Sequence, residues 1–139
     1  MPKATNISCY EAEQIKYLPS NTVLISINEE ELPLRKLNLD RQSNKILTVR
    51  FNDITAPKEY NGTLIKPINF DTCLKILDFI NINQGKDFII HCHAGISRSA
   101  AICLYLHIIH GYELKPNFWK TSKPNKFVLG ALMINRYQK

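Results

Sequence analysis

Cys92 and Arg98 stand on either side of five residues, His93-Ala94-Gly95-Ile96-Ser97, and Ser99 follows directly. A cysteine and an arginine at this spacing can serve as a nucleophile and an anion clamp. The apolar run Phe88-Ile89-Ile90 ahead of His91 reads as a strand, and Ala100 onward reads as a helix. The segment between them is therefore a tight loop at a helix N-terminus. Backbone N–H groups of such a loop converge on one point, and the helix dipole turns its positive end to the same place. That field favours the thiolate, the nucleophilic form of a cysteine. Gly95 allows the positive φ or close backbone approach that the loop needs, and Arg98 can grip two phosphate oxygens in a bidentate fork. Phosphoryl transfer asks mainly for positioning and for charge stabilisation on the equatorial oxygens. His93, Ala94, Gly95, Ile96, Ser97 and Arg98 are thus expected to bind phosphate. Ser99 can donate a hydrogen bond to the Cys92 sulfur when that sulfur becomes a leaving group. The chemistry to expect is hydrolysis of a phosphate monoester through a phosphocysteine.

Several elements must position these groups. Ser8-x-x-Glu11 is a capping box that predicts a short helix to about Tyr17, before Pro19. Thr22–Ile27, rich in β-branched residues, predicts a buried strand. The polar stretch from Asn28 to Asp40 is a connection with room for one helical turn, and Lys45–Phe51 alternates as a second strand. From Asn52 a long connection runs through Pro57, Asn61-Gly62 and Pro67; loops of this length are commonly functional. Phe70, Cys73, Leu74, Leu77 and Ile80 fall at helical spacing and predict an amphipathic helix to about Ile82, with Asp71 as its cap. The helix after the loop is apolar nearly all round, hence buried, and stops at Gly111. His110 at its end is a place where a cationic ring is mildly favoured. Tyr112–Lys123 has no clear pattern, and Pro124-Asn125 opens a last helix. Strands alternating with helices predict one α/β domain over residues 1–139, with a central parallel or mixed sheet of about four to five strands flanked by helices.

Composition narrows the partners. A net charge of +6 favours anionic ligands, but the basic residues are scattered, so nucleic acid is not indicated. The four cysteines have no secreted-domain spacing, which predicts reduced thiols and a cytoplasmic protein, with Cys73 and Cys103 in the core. The first residues hold no apolar leader, and the longest apolar segment, residues 100–109, is too short to span a membrane. Cys92, His93, Cys103 and His107 could be read as metal ligands, but their spacing matches no zinc pattern. No metal and no cofactor are expected, and His107 reads as a helix residue facing a polar neighbour.

The run His91-Cys92-His93-Ala94-Gly95-Ile96-Ser97-Arg98-Ser99-Ala100 resembles the signature of the cysteine-dependent protein tyrosine phosphatases, most closely its dual-specificity branch. The resemblance extends over roughly Thr48 to Arg136. It implies a protein tyrosine phosphatase-like fold and a metal-free mechanism on phosphorylated proteins, with Cys92 as nucleophile, Arg98 as clamp and an aspartate from a separate loop as general acid and base. One carboxyl can fill both proton roles in turn. In the family this aspartate follows the strand upstream of the loop strand, with a helix between, and Asp53 in Arg50-Phe51-Asn52-Asp53 fits. Glu59 on the same connection is the runner-up, and Asp87 lies at the wrong end of its strand. Asn125 matches an asparagine that starts the last helix in many of these enzymes; a plain N-cap is an equal reading. His91 is expected to hold the loop by a hydrogen bond.

The chain also departs from parts of the superfamily. It has no Trp-Pro-Asp loop, because its one tryptophan is Trp119, and no phosphotyrosine-stacking segment at its start. A shallower pocket follows, open to phosphoserine and phosphothreonine as well as phosphotyrosine. The loop lacks the paired lysines of phosphoinositide phosphatases, and Ser97 and Ser99 replace the asparagine and threonine usual in RNA 5′-triphosphatases. A phosphoinositide or RNA 5′-phosphatase of the same mechanism, and a phosphopeptide-binding pseudophosphatase, stay as alternatives. Retention of both Cys92 and Arg98 weighs against the last.

Overall fold

The structure is a computed structural model that describes residues 1–34 and 36–137. In chain order its strands are β1 (Lys3–Ile7), β2 (Thr22–Asn28), β3 (Ile46–Arg50), β4 (Lys58–Tyr60), β5 (Thr63–Ile65), β6 (Asp87–His91) and β7 (Glu113–Leu114). The helices are α1 (Cys9–Glu13), α2 (Phe70–Ile82), α3 (Arg98–His110), α4 (Phe118–Thr121) and α5 (Lys126–Asn135). Five strands form one sheet in the order β3-β2-β6-β1-β7, with every pairing parallel. This is the flanked parallel sheet expected from the alternation of strands and helices.

Side chains alternate across a strand, so each strand feeds two faces. Val23, Ile25 and Ile27 of β2 and Phe88 and Ile90 of β6 enter the main core, with Ile76 and Leu77 of α2, Leu106 of α3 and Leu132 of α5. Leu24 enters a smaller core on the other face with Leu18 and Leu39, against which Ile89 packs. Helix α3 is buried without a break from Arg98 to Leu106, as its all-round apolarity requires. It ends at Gly111, whose φ of 73° lets its N–H return to the His107 carbonyl.

Several local expectations need correction. The capping box forms in both directions, Glu11 N to Ser8 Oγ and Ser8 N to Glu11 Oε1, each at 3.1 Å. Helix α1 nevertheless stops at Glu13 rather than near Tyr17. The side-chain amide of Gln42 takes both the N–H and the carbonyl of Leu18, at 2.7 and 2.8 Å, and holds that stretch extended over the smaller core. The helical turn of the following connection comes at its end, as a 3-10 segment over Asp40–Lys45. Asn69, not Asp71, caps α2, by accepting from Thr72 N at 2.8 Å; Asp71 lies in the first turn. The long connection after Asn52 contains a hairpin of β4 and β5, turning at Asn61 (φ 50°) and Gly62 (φ 78°). Asn-Gly with positive φ at both positions is the favoured two-residue hairpin turn.

Strand β1 was not anticipated. Its sequence, Lys-Ala-Thr-Asn-Ile, is short and mostly polar, yet it pairs with both β6 and β7 and buries Asn6 completely. Replacing Ile76, fully buried between α2 and the sheet, by alanine is expected to lower stability by about 3 kcal/mol, read from the midpoint of urea unfolding.

Candidate active site

Parallel strands all end on the same edge of a sheet, and ligand crevices form there. The C-terminal ends of β1, β2, β3 and β6 are Ile7, Asn28, Arg50 and His91. The residues that follow them, Ser8-Cys9, Glu29, Phe51–Asp53 and Cys92, therefore meet although they lie far apart in sequence.

The 92–98 loop is fastened through its carbonyls. Cys9 N donates to His93 O at 3.0 Å, Asn6 Nδ2 to Gly95 O at 2.7 Å, Lys123 N to Ile96 O at 2.8 Å, and Asn125 N to Ser97 O at 3.1 Å. Carbonyl and N–H of one peptide plane point in opposite directions. Carbonyls drawn outward to β1, α1 and the 122–125 segment thus turn neighbouring N–H groups inward. Gly95 N, which shares its plane with the Ala94 carbonyl, donates to the Cys92 sulfur at 3.3 Å.

Gly95 allows no side chain. Its φ is 75°, and a Cβ there would stand 2.4 Å from the carbonyl carbon of Ile7 and 2.6 Å from Ser8 N. Both are main-chain atoms that cannot swing aside. The sequence-based need for a glycine is met here by close approach as well as by conformation.

Cys92 is buried, and its sulfur lies 3.1 Å from Ser99 Oγ, the contact expected from the sequence. His91 is fully buried, with Nδ1 3.2 Å from Cys92 O and Nε2 2.6 Å from Ser26 Oγ. A carbonyl can only accept, so Nδ1 carries the proton, and in the neutral ring Nε2 accepts from the Ser26 hydroxyl. Ser26 and His91 are register partners on β2 and β6, so this bond ties the loop to the neighbouring strand.

Arg98 is 3% exposed. Nη1 donates to Phe51 O at 2.9 Å and Nη2 to Glu29 Oε1 at 2.8 Å, while Nε is buried without a partner among the described residues. Asp53, exposed above the loop, accepts at Oδ1 from Ser97 Oγ at 2.7 Å and from Asn125 Nδ2 at 2.8 Å. Asn125 also caps α5, its Oδ1 accepting from Phe127 N and Val128 N. One end of the amide thus caps the helix and the other meets Asp53. Glu59 lies in β4 opposite Leu64, and Asp87 receives Lys3 N at the far end of β6.

Among curated proteins, the chain is 30% identical over 83 residues to dual specificity protein phosphatase 5 of Rattus norvegicus; the match takes in 59% of this chain. It spans only 21% of that protein's length. The structure of human tyrosine phosphatase-like serine/threonine/tyrosine-interacting protein superposes with a TM-score of 0.52 at 21% identity, over 81% of this chain and 74% of that one. Human DUSP28 gives 0.52 at 19% identity, over 97% and 92%. No family model matches the chain. Over the matched stretch the chain is similar to a dual specificity phosphatase. Its protein tyrosine phosphatase-type fold and the parallel sheet agree with that resemblance.

Two residues of this site carry no local signal in the sequence. Glu29 lies in an acidic run that reads as solvated surface, and only the fold brings it to Arg98. Asn6 sits in the unrecognised β1 and donates to both Gly95 O and Ser122 Oγ, at 2.7 and 3.0 Å. The other thiols stand apart from this chemistry. Burial pushes the Cys73 thiol up to about 11, against a smaller lowering by Asn135, and raises Cys103 further. His110 corrects an expectation: burial lowers its pKa, so its ring tends to neutrality at the helix end. His107 meets a polar neighbour, the Tyr112 carbonyl, at 2.7 Å. No group of three or more His, Cys, Asp or Glu among the described residues is placed to hold a metal, and no described helix is long and apolar enough to cross a membrane.

Gly95→Ala should displace the loop from β1 and reduce turnover of an aryl phosphate more than tenfold, while circular dichroism keeps its helical signal. In the folded protein at neutral pH, Cys73 and Cys103 should resist alkylation by iodoacetamide, and mass spectrometry should find them modified only after unfolding.

Proposed function

We propose that this chain hydrolyses phosphate monoesters on phosphorylated proteins, phosphotyrosine first and phosphoserine or phosphothreonine as well, through a phosphocysteine on Cys92. The observation that carries this reading is Arg98. Its two terminal nitrogens are engaged by the protein, and its buried Nε has no acceptor among the described residues. An unpaired buried donor costs about 1–3 kcal/mol, and a phosphate oxygen in the loop would relieve that cost. The inward N–H groups would share the charge on the other equatorial oxygens.

In the first step the Cys92 thiolate attacks phosphorus in line with the leaving oxygen. The S–P bond forms as the P–O bond breaks, and Asp53 gives its proton to the departing oxygen. In the second step water attacks phosphorus, Asp53 takes the proton from that water, and the S–P bond breaks to return the thiolate. Ser99 stabilises the sulfur as it leaves. Asn125 and Ser97 hold the aspartate over the loop, His91 holds the loop to β2, and no metal or cofactor takes part. A binding-only protein would not need a sulfur supplied with two hydrogen-bonding neighbours, Gly95 N and Ser99 Oγ.

Cys92→Ser is expected to abolish aryl phosphate hydrolysis while retaining phosphate affinity; surviving activity would exclude Cys92 as nucleophile. Asp53→Asn should slow an alkyl phosphate by about 100-fold, in the range typical of general acid catalysis, and slow a substrate with an acidic phenol leaving group much less. An equal effect on both would remove Asp53 from the acid role and bring Glu59 forward.

A further inference from the structure

Beside the 92–98 loop the cleft opens into a hollow that the chemistry above does not use. Glu29, Leu32 and His93 line both the recess around Arg98 and this hollow, so the two are continuous. Glu31, Asp53, Ile54 and Ile65 complete most of its wall, and no lysine or arginine is among its lining residues within the described part of the chain. In a chain of net charge +6, this is a local reversal of sign.

Three carboxylates stand there beside three aliphatic side chains, Leu32, Ile54 and Ile65. Glu29 is occupied by Arg98, and Asp53 is held by Ser97 and Asn125. Glu31 is exposed at the rim, and Leu32 is 57% exposed. A surface that is apolar on one side and acidic on the other suits a side chain divided the same way, a methylene stem with a cationic head. Polyanions fit it poorly, because further phosphates on a lipid headgroup or an RNA end would lie against the carboxylates.

We propose that this hollow is a specificity subsite selecting phosphopeptides with a lysine or arginine beside the phosphorylated residue. The inference rests on the phosphatase reading and narrows its substrate class. Arg98 Nε, buried and unpartnered, marks where the phosphate sits. The shared walls place the hollow next to it, within reach of the adjoining residue of the same peptide. The stem packs on Leu32, Ile54 and Ile65, and the head meets Glu31 with Glu29 and Asp53 behind it.

The test uses two matched phosphotyrosine peptides, with arginine or glutamate next to the phosphotyrosine, and an uncharged aryl phosphate as reference. The native chain should prefer the arginine peptide by about fivefold in kcat/KM, the scale of an exposed ion pair, and added salt should shrink the preference. Glu31→Lys should abolish or invert it while leaving the aryl phosphate rate unchanged. The same ranking is measured as peptide affinity on Cys92→Ser, so a chain without turnover still tests the subsite. Equal or reversed preference on both readouts would overturn the proposal. So would faster turnover of phosphoinositide vesicles or 5′-phosphorylated RNA than of the arginine peptide. Failure to hydrolyse even the aryl phosphate would instead strike the phosphatase reading.

Discussion

The site depends on main-chain carbonyls being drawn outward from one short loop. A ring of N–H groups cannot be held open by the loop itself, because any peptide free to rotate would offer its carbonyl to the centre. Here the four anchors on His93, Gly95, Ile96 and Ser97 come from two separate segments: β1 with the start of α1, and the residues on either side of Pro124. Each anchor is an ordinary hydrogen bond worth about 1 kcal/mol net. Together they fix the direction of the peptide planes, which no single side chain in the loop could do.

That requirement explains the architecture around the loop. A parallel sheet brings the ends of β1, β2, β3 and β6 to one edge, so chain segments up to ninety residues apart can each contribute one contact. Strand β1 contributes most cheaply, through Asn6 and through the flat main chain at Ile7 and Ser8 that Gly95 lies against. Strand β2 contributes Ser26 to His91, and the residue that follows its end, Glu29, reaches Arg98. The helix behind the loop must be buried for this to work, and the run from Arg98 to Leu106 is.

How much of this was legible in the sequence follows from the range of the interactions involved. The 92–99 segment, α2, α3, β2 and the Ser8 cap are specified by residues near one another, and they were read with nearly correct bounds. Asp53 comes to notice through the resemblance alone, because its hydrogen bond to Ser97 joins residues 44 positions apart. Strand β1 was invisible because its alternation is carried by Ala4 and Asn6, and a buried asparagine looks like loop in any pattern of polarity. Glu29 was invisible for the opposite reason: three successive glutamates look like surface, and the one that turns inward is chosen by the register of β2. The end of α1 was set by Gln42, a partner 24 residues away from Leu18.

The contacts of Asp53 constrain the proposed proton transfers. Oδ1 already accepts from both Ser97 and Asn125, which leaves little capacity for a proton on that atom. The proton delivered to the leaving group must then ride on the other oxygen, Oδ2, and return to it in the second step. A carboxyl held by one oxygen presents the other in a defined direction, so Ser97 and Asn125 act as an orienting pair rather than as acids themselves. Because Asn125 also caps α5, the direction of that oxygen is tied to the position of a whole helix. Because Ser97 belongs to the 92–98 loop, its hydrogen bond ties the aspartate directly to that loop. Asp53 and Cys92 follow different strands, β3 and β6, and under the proposed mechanism this pair of hydrogen bonds sets their separation.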